Sequence, residues 1–441
     1  MPNGRPMVHR VRGGGWGLLP VIAASLAMLA WHPVDAAPRE RPRPPRASVR
    51  SGTPAQPAKR TAPPPATAPT LPPANDAEAR LIEVYRLFNA GHSRQALSKA
   101  EALAAAYPHF QLAQLIHGDL LAARIPSVAG RGNGSLLPKS GDRTTLAELR
   151  EEAQRRLSAL RERPPPGTIP SEFLALSRQH RHAIAVDASR SRLYLLRNTP
   201  TGLQWVADYY VSIGKAGLDK LVEGDARTPQ GIYYVTSNLD PRSLRDFYGA
   251  GALPLNYPNA YDLRRGRGGS GIWLHGTPPS HFARAPQATD GCVVMSNPDL
   301  QALLRIAEPG ATPVVIARRL DWIAPAEAQA RARAFDSTLS AWSEARTEGD
   351  LARLQDLYLP DHRRSGRLAE RMPNISDEID QLRGRRVELK DRSYLYWRDA
   401  GGMMVVTFGE IIAGEKFGRT RRQYWMRSGP RWKVFHEEFT G

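Results

Sequence analysis

Ile272-Trp273-Leu274-His275-Gly276-Thr277 and Thr289-Asp290-Gly291-Cys292-Val293-Val294-Met295-Ser296-Asn297, whose cysteine lies seventeen positions on from the histidine, are the stretches whose reading decides the fold of this chain. The first reads as a short strand ending at His275. The second holds Cys292, the only cysteine among 441 residues. A single thiol cannot close a disulfide within its own chain. It is an inert small hydrophobe, a bridge to another chain, or a nucleophile. A cysteine nucleophile needs a partner imidazole within hydrogen-bond reach and backbone N–H groups to hold the oxyanion of a tetrahedral intermediate. Gly291 has no Cβ to obstruct the approach of a substrate carbonyl. Asn297 is expected to cap a helix beginning at Pro298, with Asp299 in its first turn. A buried structural thiol and a satisfied strand-end histidine are the bland readings of Cys292 and His275. A glycine beside each, and a rigid sheet able to hold both, favour a catalytic pair.

Outward from this pair, the segment 181–318 has the pattern of a β-rich domain. Ala183 to Asp187 and Arg192 to Leu196 read as a hairpin. Further strand-like runs occur at Val206 to Ile213, Ile232 to Thr236, Ile272 to His275 and Pro313 to Ala317, separated by Gly and Pro clusters. Before this domain, residues 75–165 read as helical. Leu81, Val84, Tyr85 and Phe88, then Ala96, Leu97, Ala100 and Leu103, fall at helical spacing. A glycine-rich loop over 126–142 and a charged helix over about 144–162 follow. After it, Ala326 to Thr347 and Asp350 to Leu359 are expected helices. Strand-like runs close the chain at Arg386 to Leu389, Tyr394 to Trp397, Met403 to Ile412, Gln423 to Arg427 and Trp432 to Phe435. Helices followed by an antiparallel sheet make a separate α+β domain.

The N-terminus has a different character. Arg5, His9, Arg10 and Arg12 precede an apolar run from Trp16 to Trp31, and Val34-Asp35-Ala36 supplies small residues for a signal peptidase. Residues 1–36 are therefore expected to be a cleaved secretory signal, and the protein to be exported to the periplasm. An uncleaved signal would leave it membrane-tethered. Residues 37–74, rich in Pro, Ala, Arg and Thr, read as a disordered, extended basic linker. The formal charge is +18, with 61 Lys and Arg against 43 Asp and Glu. Such a balance favours anionic partners. Export argues against nucleic acid, and no metal-ligand spacing is present.

Three further segments accompany the two opening stretches: Asn256-Tyr257-Pro258-Asn259-Ala260-Tyr261-Asp262, Val211-Ser212-Ile213-Gly214-Lys215 and Arg227-Thr228-Pro229-Gln230-Gly231. Together, over 181–318, they resemble the L,D-transpeptidase (YkuD) catalytic domain family. The resemblance implies a β-rich, sandwich-like domain and acyl transfer on peptidoglycan stem peptides. Cys292 would be the nucleophile, His275 the general base, and the backbone N–H of Cys292, together with that of Gly291, the oxyanion hole. Gly276, Thr289, Asp290 and Tyr257 would meet substrate. No cofactor or metal is implied. The thiolate would attack the diaminopimelate carbonyl and expel D-alanine. A stem amine or a wall-anchored lipoprotein lysine would then accept the acyl group. The sequence departs from the family pattern where Thr289-Asp290 stands in place of Ser-His, and where Val294 replaces an arginine. These departures resemble a divergent, YafK-like subgroup and make water an alternative acceptor, in a carboxypeptidase or crosslink hydrolase. A carboxylate at Asp290 raises a neighbouring thiol's pKa unless it points away or pairs with a cation.

Residues 75–165 resemble a tetratricopeptide-like hairpin. Residues 326–441 resemble the cone fold of the nuclear transport factor 2-like superfamily, on Ala341 to Ala345, Asp350, Leu357-Tyr358 and Trp432-Lys433-Val434. The expected architecture is thus multidomain α+β, a YkuD-like catalytic domain between a helical region and an accessory cone. A wall-binding scaffold without catalysis is the rival from another class. Arg264, Arg265 and Arg267 read as a solvated loop or as a lid over the site.

Overall fold

The computed structural model describes residues 76–124, 140–360, 374–382, 384–399 and 401–440, with the side chains of 140–144 left out. The expected signal over 1–36, the linker over 37–74 and most of the 126–142 loop lie outside the described residues. The architecture is α+β: N-terminal helices, a β-rich centre, and a C-terminal antiparallel sheet carrying a long helix. Among the described residues, no helix is long and apolar enough to cross a membrane.

Four helices open it: α1 (Asp76–Asn89), α2 (Ser93–Ala106), α3 (Gln111–Ala122) and α4 (Ser140–Arg161). Leu81, Val84, Ala96, Leu97, Ala100 and Leu103 are buried together with Phe110 and Ile116, as their spacing requires. Phe88, expected on the same stripe, stays exposed. α4 begins at Ser140, inside the segment expected to be loop.

Two short strands follow, β1 (Ile169–Pro170) and β2 (Phe173–Ala175). The centre comprises β3 (His182–Asp187), β4 (Arg192–Thr199), β5 (Gly202–Tyr210), β6 (Ile213–Gly214), β7 (Gly231–Tyr234), β8 (Ala252–Pro254), α5 (Ala260–Arg264), β9 (Trp273–His275), β10 (Gln287–Thr289), β11 (Val293–Val294), α6 (Asn297–Leu304) and β12 (Pro313–Ala317). Its main sheet has the order β5-β4-β3-β12-β7, with β3 and β12 parallel and the other pairs antiparallel. A small sheet, β11-β9-β8, lies across one face.

Both faces of the main sheet are covered, which explains why its strands are almost continuously apolar. Ile184, Val186, Leu193, Leu195, Val314 and Ile316 face Leu274, Val293 and α6. Their alternates Ala183, Ala185, Tyr194, Leu196 and Val315 face the C-terminal sheet. That second packing is the period-two rule applied to a strand with two buried sides.

The C-terminal part contains β13 (Trp322–Ile323), α7 (Pro325–Glu348), α8 (Leu351–Asp356), α9 (Ile375–Leu382), β14 (Val387–Trp397), β15 (Met403–Ile412), β16 (Arg419–Ser428) and β17 (Arg431–Thr440). The two runs expected at 386–389 and 394–397 are one strand, β14, with an irregularity in its pairing with β15. The sheet order is β17-β16-β15-β14-β2. Its last strand comes from residues 173–175, ahead of the central domain, and β1 pairs with β13. The C-terminal sheet is thus completed by a segment some 150 residues upstream of α7. One face takes Leu395, Val405, Tyr424 and Phe435 to the central sheet. The other takes Met404, Val406, Phe408 and Trp425 to Phe335, Leu339 and Trp342 of α7.

Phe173 is fully buried between these layers. Phe173→Ala is expected to destabilise the chain by about 3–5 kcal/mol, seen as a drop of several degrees in the thermal midpoint. A midpoint unchanged by this substitution would show that β2 is dispensable to the C-terminal sheet.

Candidate active site

β9 and β11 run parallel, with Leu274 opposite Val293 and His275 opposite Val294. Cys292 lies in the bend immediately before β11. Two residues of strand and one inter-strand spacing put the Cα atoms of Cys292 and His275 roughly 8 Å apart. Both side chains line one cleft of about 480 Å³, together with Arg245, Phe247, Tyr248, Gly271, Arg284, Thr289 and Asp290.

The histidine's chemistry is set by its own strand end. His275 is buried, and its Nδ1 lies 2.8 Å from Gly276 O. A carbonyl oxygen only accepts, so Nδ1 carries the proton and Nε2 keeps its lone pair. Burial lowers the imidazole pKa to about 4, with the hydrogen bond to Gly276 opposing and Arg284 adding to the fall. At neutral pH the ring is an uncharged base. Tyr248 and Phe247 pack against it at 5.1 and 5.7 Å between ring centroids, and Tyr248 also stacks on Trp273 at 4.8 Å.

Cys292 is a free, half-buried thiol whose Sγ lies 3.4 Å from Gly271 O. Burial pushes its pKa above the ordinary thiol value. The Trp273 main chain draws it down, Asp290 raises it, and Lys220 and Arg284 lower it. The resting pair is therefore a thiol and a neutral imidazole. Asp290 is exposed and its carboxylate is held by Lys215 Nζ at 2.8 Å. Asp290 thus carries its own cation.

The turn around the thiol is held from inside. Thr289 is buried; its Oγ1 donates to Cys292 O at 2.7 Å and accepts from Gly291 N–H at 3.1 Å. This corrects the oxyanion-hole expectation for Gly291, whose amide is engaged with the threonine. Among the described residues, no protein acceptor is found for the Cys292 N–H, which remains the amide beside the thiol. Gly291 is needed for another reason. Its φ is +126°, and a Cβ there would stand 2.7 Å from Arg227 O. Thr228 Oγ1 donates to Gly291 O at 2.8 Å, and Lys215 N–H to Thr289 O at 2.7 Å. The Val211–Lys215 and Arg227–Gly231 segments are therefore the frame of the nucleophile turn.

Other expectations are redistributed. Ser296, not Asn297, caps α6, accepting from Asp299 N–H. Asn297 reaches back instead: its Oδ1 accepts from the Ala250 and Thr277 N–H groups, and its Nδ2 donates to Thr277 O at 2.9 Å. It clamps the loop that carries Gly276 O. Gly276 itself has no room for a Cβ, which would overlap Asn297 Oδ1, and it acts by orienting His275. Tyr257 is a core residue, packed on Tyr233 with its hydroxyl donating to Gly268 O at 2.8 Å, so it does not line the cleft. The 264–267 arginines do not form a lid. Arg265 pairs with Asp399 at 3.0 Å, Arg267 lies 3.7 Å from Asp262, and Arg264 stacks over Phe435.

Sequence reasoning missed Arg284, Phe247, Tyr248 and the clamp by Asn297. Ser296 and Asp299, three apart before an apolar run, are a capping signal that could have released Asn297 for another role. Arg284 and the aromatic pair have no comparable signature. Among the described residues, no group of three or more His, Cys, Asp or Glu side chains is placed to hold a metal.

Residues 181–316 match the YkuD family, the L,D-transpeptidase catalytic domain. No curated protein shows a significant sequence match. Among solved structures, Bd1075 from Bdellovibrio bacteriovorus is similar at 24% identity and a TM-score of 0.50, over 62% of this chain and 98% of that one. The helical cell shape determining protein Pgp2 from Campylobacter jejuni matches at 17% identity and a TM-score of 0.48, over 61% and 95%. The Bd1075 likeness speaks to the fold.

Gly291→Ala is expected to leave the fold intact but lower turnover by about a hundredfold or more, since a 1 Å misplacement of a reacting group has that cost. Circular dichroism beside a rate measurement separates the two effects. Alkylation of Cys292 by iodoacetamide is expected to be slow at pH 7 and to accelerate through pH 9, because the raised thiol pKa keeps the thiolate scarce. Rapid labelling at pH 6 would contradict the resting thiol–imidazole state.

Proposed function

We propose that this cleft performs cysteine acyl transfer on the peptide stems of peptidoglycan, with Cys292 as nucleophile and His275 as general base. The observation that carries the reading is the neutral, Nδ1-protonated His275 sharing one cleft with the chain's only thiol. The YkuD match over 181–316 supports the substrate class. Sγ attacks the diaminopimelate carbonyl as its proton passes to His275 Nε2. The Cys292 N–H faces the developing oxyanion. The carbonyl–nitrogen bond breaks, the imidazolium returns its proton to the departing D-alanine amine, and a thioester remains. An amine acceptor then attacks the thioester, its proton going to Nε2; the carbon–sulfur bond breaks, and the imidazolium returns that proton to the departing sulfur, restoring the thiol.

Water in place of the amine is the second reading, which makes the protein an L,D-carboxypeptidase or a crosslink hydrolase. A specific observation favours it: Asp290, beside Cys292 where the family pattern has histidine, is a carboxylate held by Lys215 Nζ at 2.8 Å. Under either reading the protein acts after export, as the segment over 1–36 suggests, and the nuclear transport factor 2-like part serves as an accessory module.

Incubating the purified protein with tetrapeptide muropeptides tests both. Free D-alanine together with a crosslinked mass identifies transfer to an amine, and a shortened tripeptide stem identifies hydrolysis. Cys292→Ala is expected to reduce D-alanine release by about a thousandfold or more. Turnover retained in that variant removes the thiol mechanism.

A further inference from the structure

We propose that Arg284 anchors a free carboxylate on the ligand, that of the single residue expelled when Cys292 attacks, so that the cleft selects peptides ending one residue beyond the scissile carbonyl. This rests on the acyl-transfer reading above and narrows its substrate. Arg284 lines the same cleft as Cys292 and His275, half-buried, with its guanidinium over the Phe247 ring at 4.8 Å from the centroid. A guanidinium has five N–H donors. Here the contact found for it is one long approach, Nη1 to Ala288 O at 3.4 Å. Of the other cations near the thiol, Lys215 holds Asp290 at 2.8 Å, Lys220 holds Asp225 at 2.9 Å, and Arg245 is exposed. Among the described residues, Arg284 has no carboxylate within ion-pair distance. Burial weakens its hold on its proton, against the pull of Asp290 and Cys292. A partly desolvated guanidinium over an aromatic ring, with most of its donors unengaged, is a ready receptor for a planar carboxylate.

The arm that carries Arg284 is fixed at two points. Phe282 is buried among the N-terminal helices against Tyr107 and Phe110, with ring centroids at 5.3 and 4.5 Å, and its N–H donates to His109 O at 3.1 Å. Tyr210 donates its hydroxyl to Arg284 O at 2.9 Å, and Arg156 of α4 stacks over the Tyr210 ring at 3.9 Å. Arg245, the other arginine lining the cleft, is exposed and lacks such support. In the substrate, the terminal carboxylate lies about one residue's span, roughly 3.8 Å, beyond the scissile bond. A peptide whose carboxylate is blocked leaves the guanidinium unpaired, and a site built around a charge rejects such an analogue.

A tetrapeptide stem and its C-terminal amide, assayed side by side, test this. The wild-type protein is expected to favour the acid in kcat/KM by roughly 10–100-fold, the range of one hydrogen-bonded charge. In Arg284→Ala the acid-to-amide ratio falls to about one, and Arg284→Lys keeps part of it. The same two peptides are titrated calorimetrically against Cys292→Ala with and without Arg284→Ala, so that the preference is also read in binding. Equal handling of acid and amide by the wild type, or a ratio preserved in Arg284→Ala, overturns the anchor. Failure of the wild type to release D-alanine overturns the acyl-transfer reading instead, and the binding pair still decides Arg284.

Discussion

The parallel pairing of β9 with β11 is the constraint on which the site depends. It places His275 opposite Val294, and so brings Cys292, a bend earlier, onto the same wall of the cleft. A slip of one residue would turn every side chain to the opposite face. The register is protected by burial: Leu274 and Val293, the other matched pair, insert into the core beneath the main sheet. Packing thus fixes a pairing that two short strands could not hold alone.

Around this register, Gly276, Gly291 and Thr289 frame the histidine and the thiol. Gly276 contributes its carbonyl, which sets the imidazole tautomer. Gly291 contributes the absence of a Cβ, and Thr289 ties the turn to itself. The pKa shifts follow from the same enclosure. Burial disfavours both the imidazolium and the thiolate, so the neutral pair is the resting state.

The flanking parts are joined to the central sheet by more than apolar contact. Glu78 of α1 lies between Arg156 of α4 and Arg192 of β4, at 2.9 and 2.8 Å, all three buried. Arg156 also pairs with Glu152 and Arg192 with Asp208, so this buried network holds the N-terminal helices in one position on the domain. That position matters to the cleft, because the same helices bury Phe282. At the other side, the C-terminal sheet borrows β2 and packs directly on the main sheet.

Local pattern in the sequence determined the helices of the N-terminal region, the hairpin of β3 and β4, the long helix α7 and the late strands, because periodicity and turn residues act over a few positions. The order and spacing of His275-Gly276 and Gly291-Cys292 already marked a thiol–imidazole pair. Tertiary structure alone decided the rest. Residues 173–175 join a sheet whose other strands begin at Val387, and no local pattern encodes a partner that far along the chain. Tyr257 went to the core, the 264–267 arginines turned to Asp262, Asp399 and Phe435, and Asn297 left the helix cap for Thr277. Arg284 entered the cleft only because Phe282, two residues earlier, is buried in a different part of the fold. A residue's chemistry is legible in one dimension, but its neighbours are set by which surfaces the folded chain must bury together.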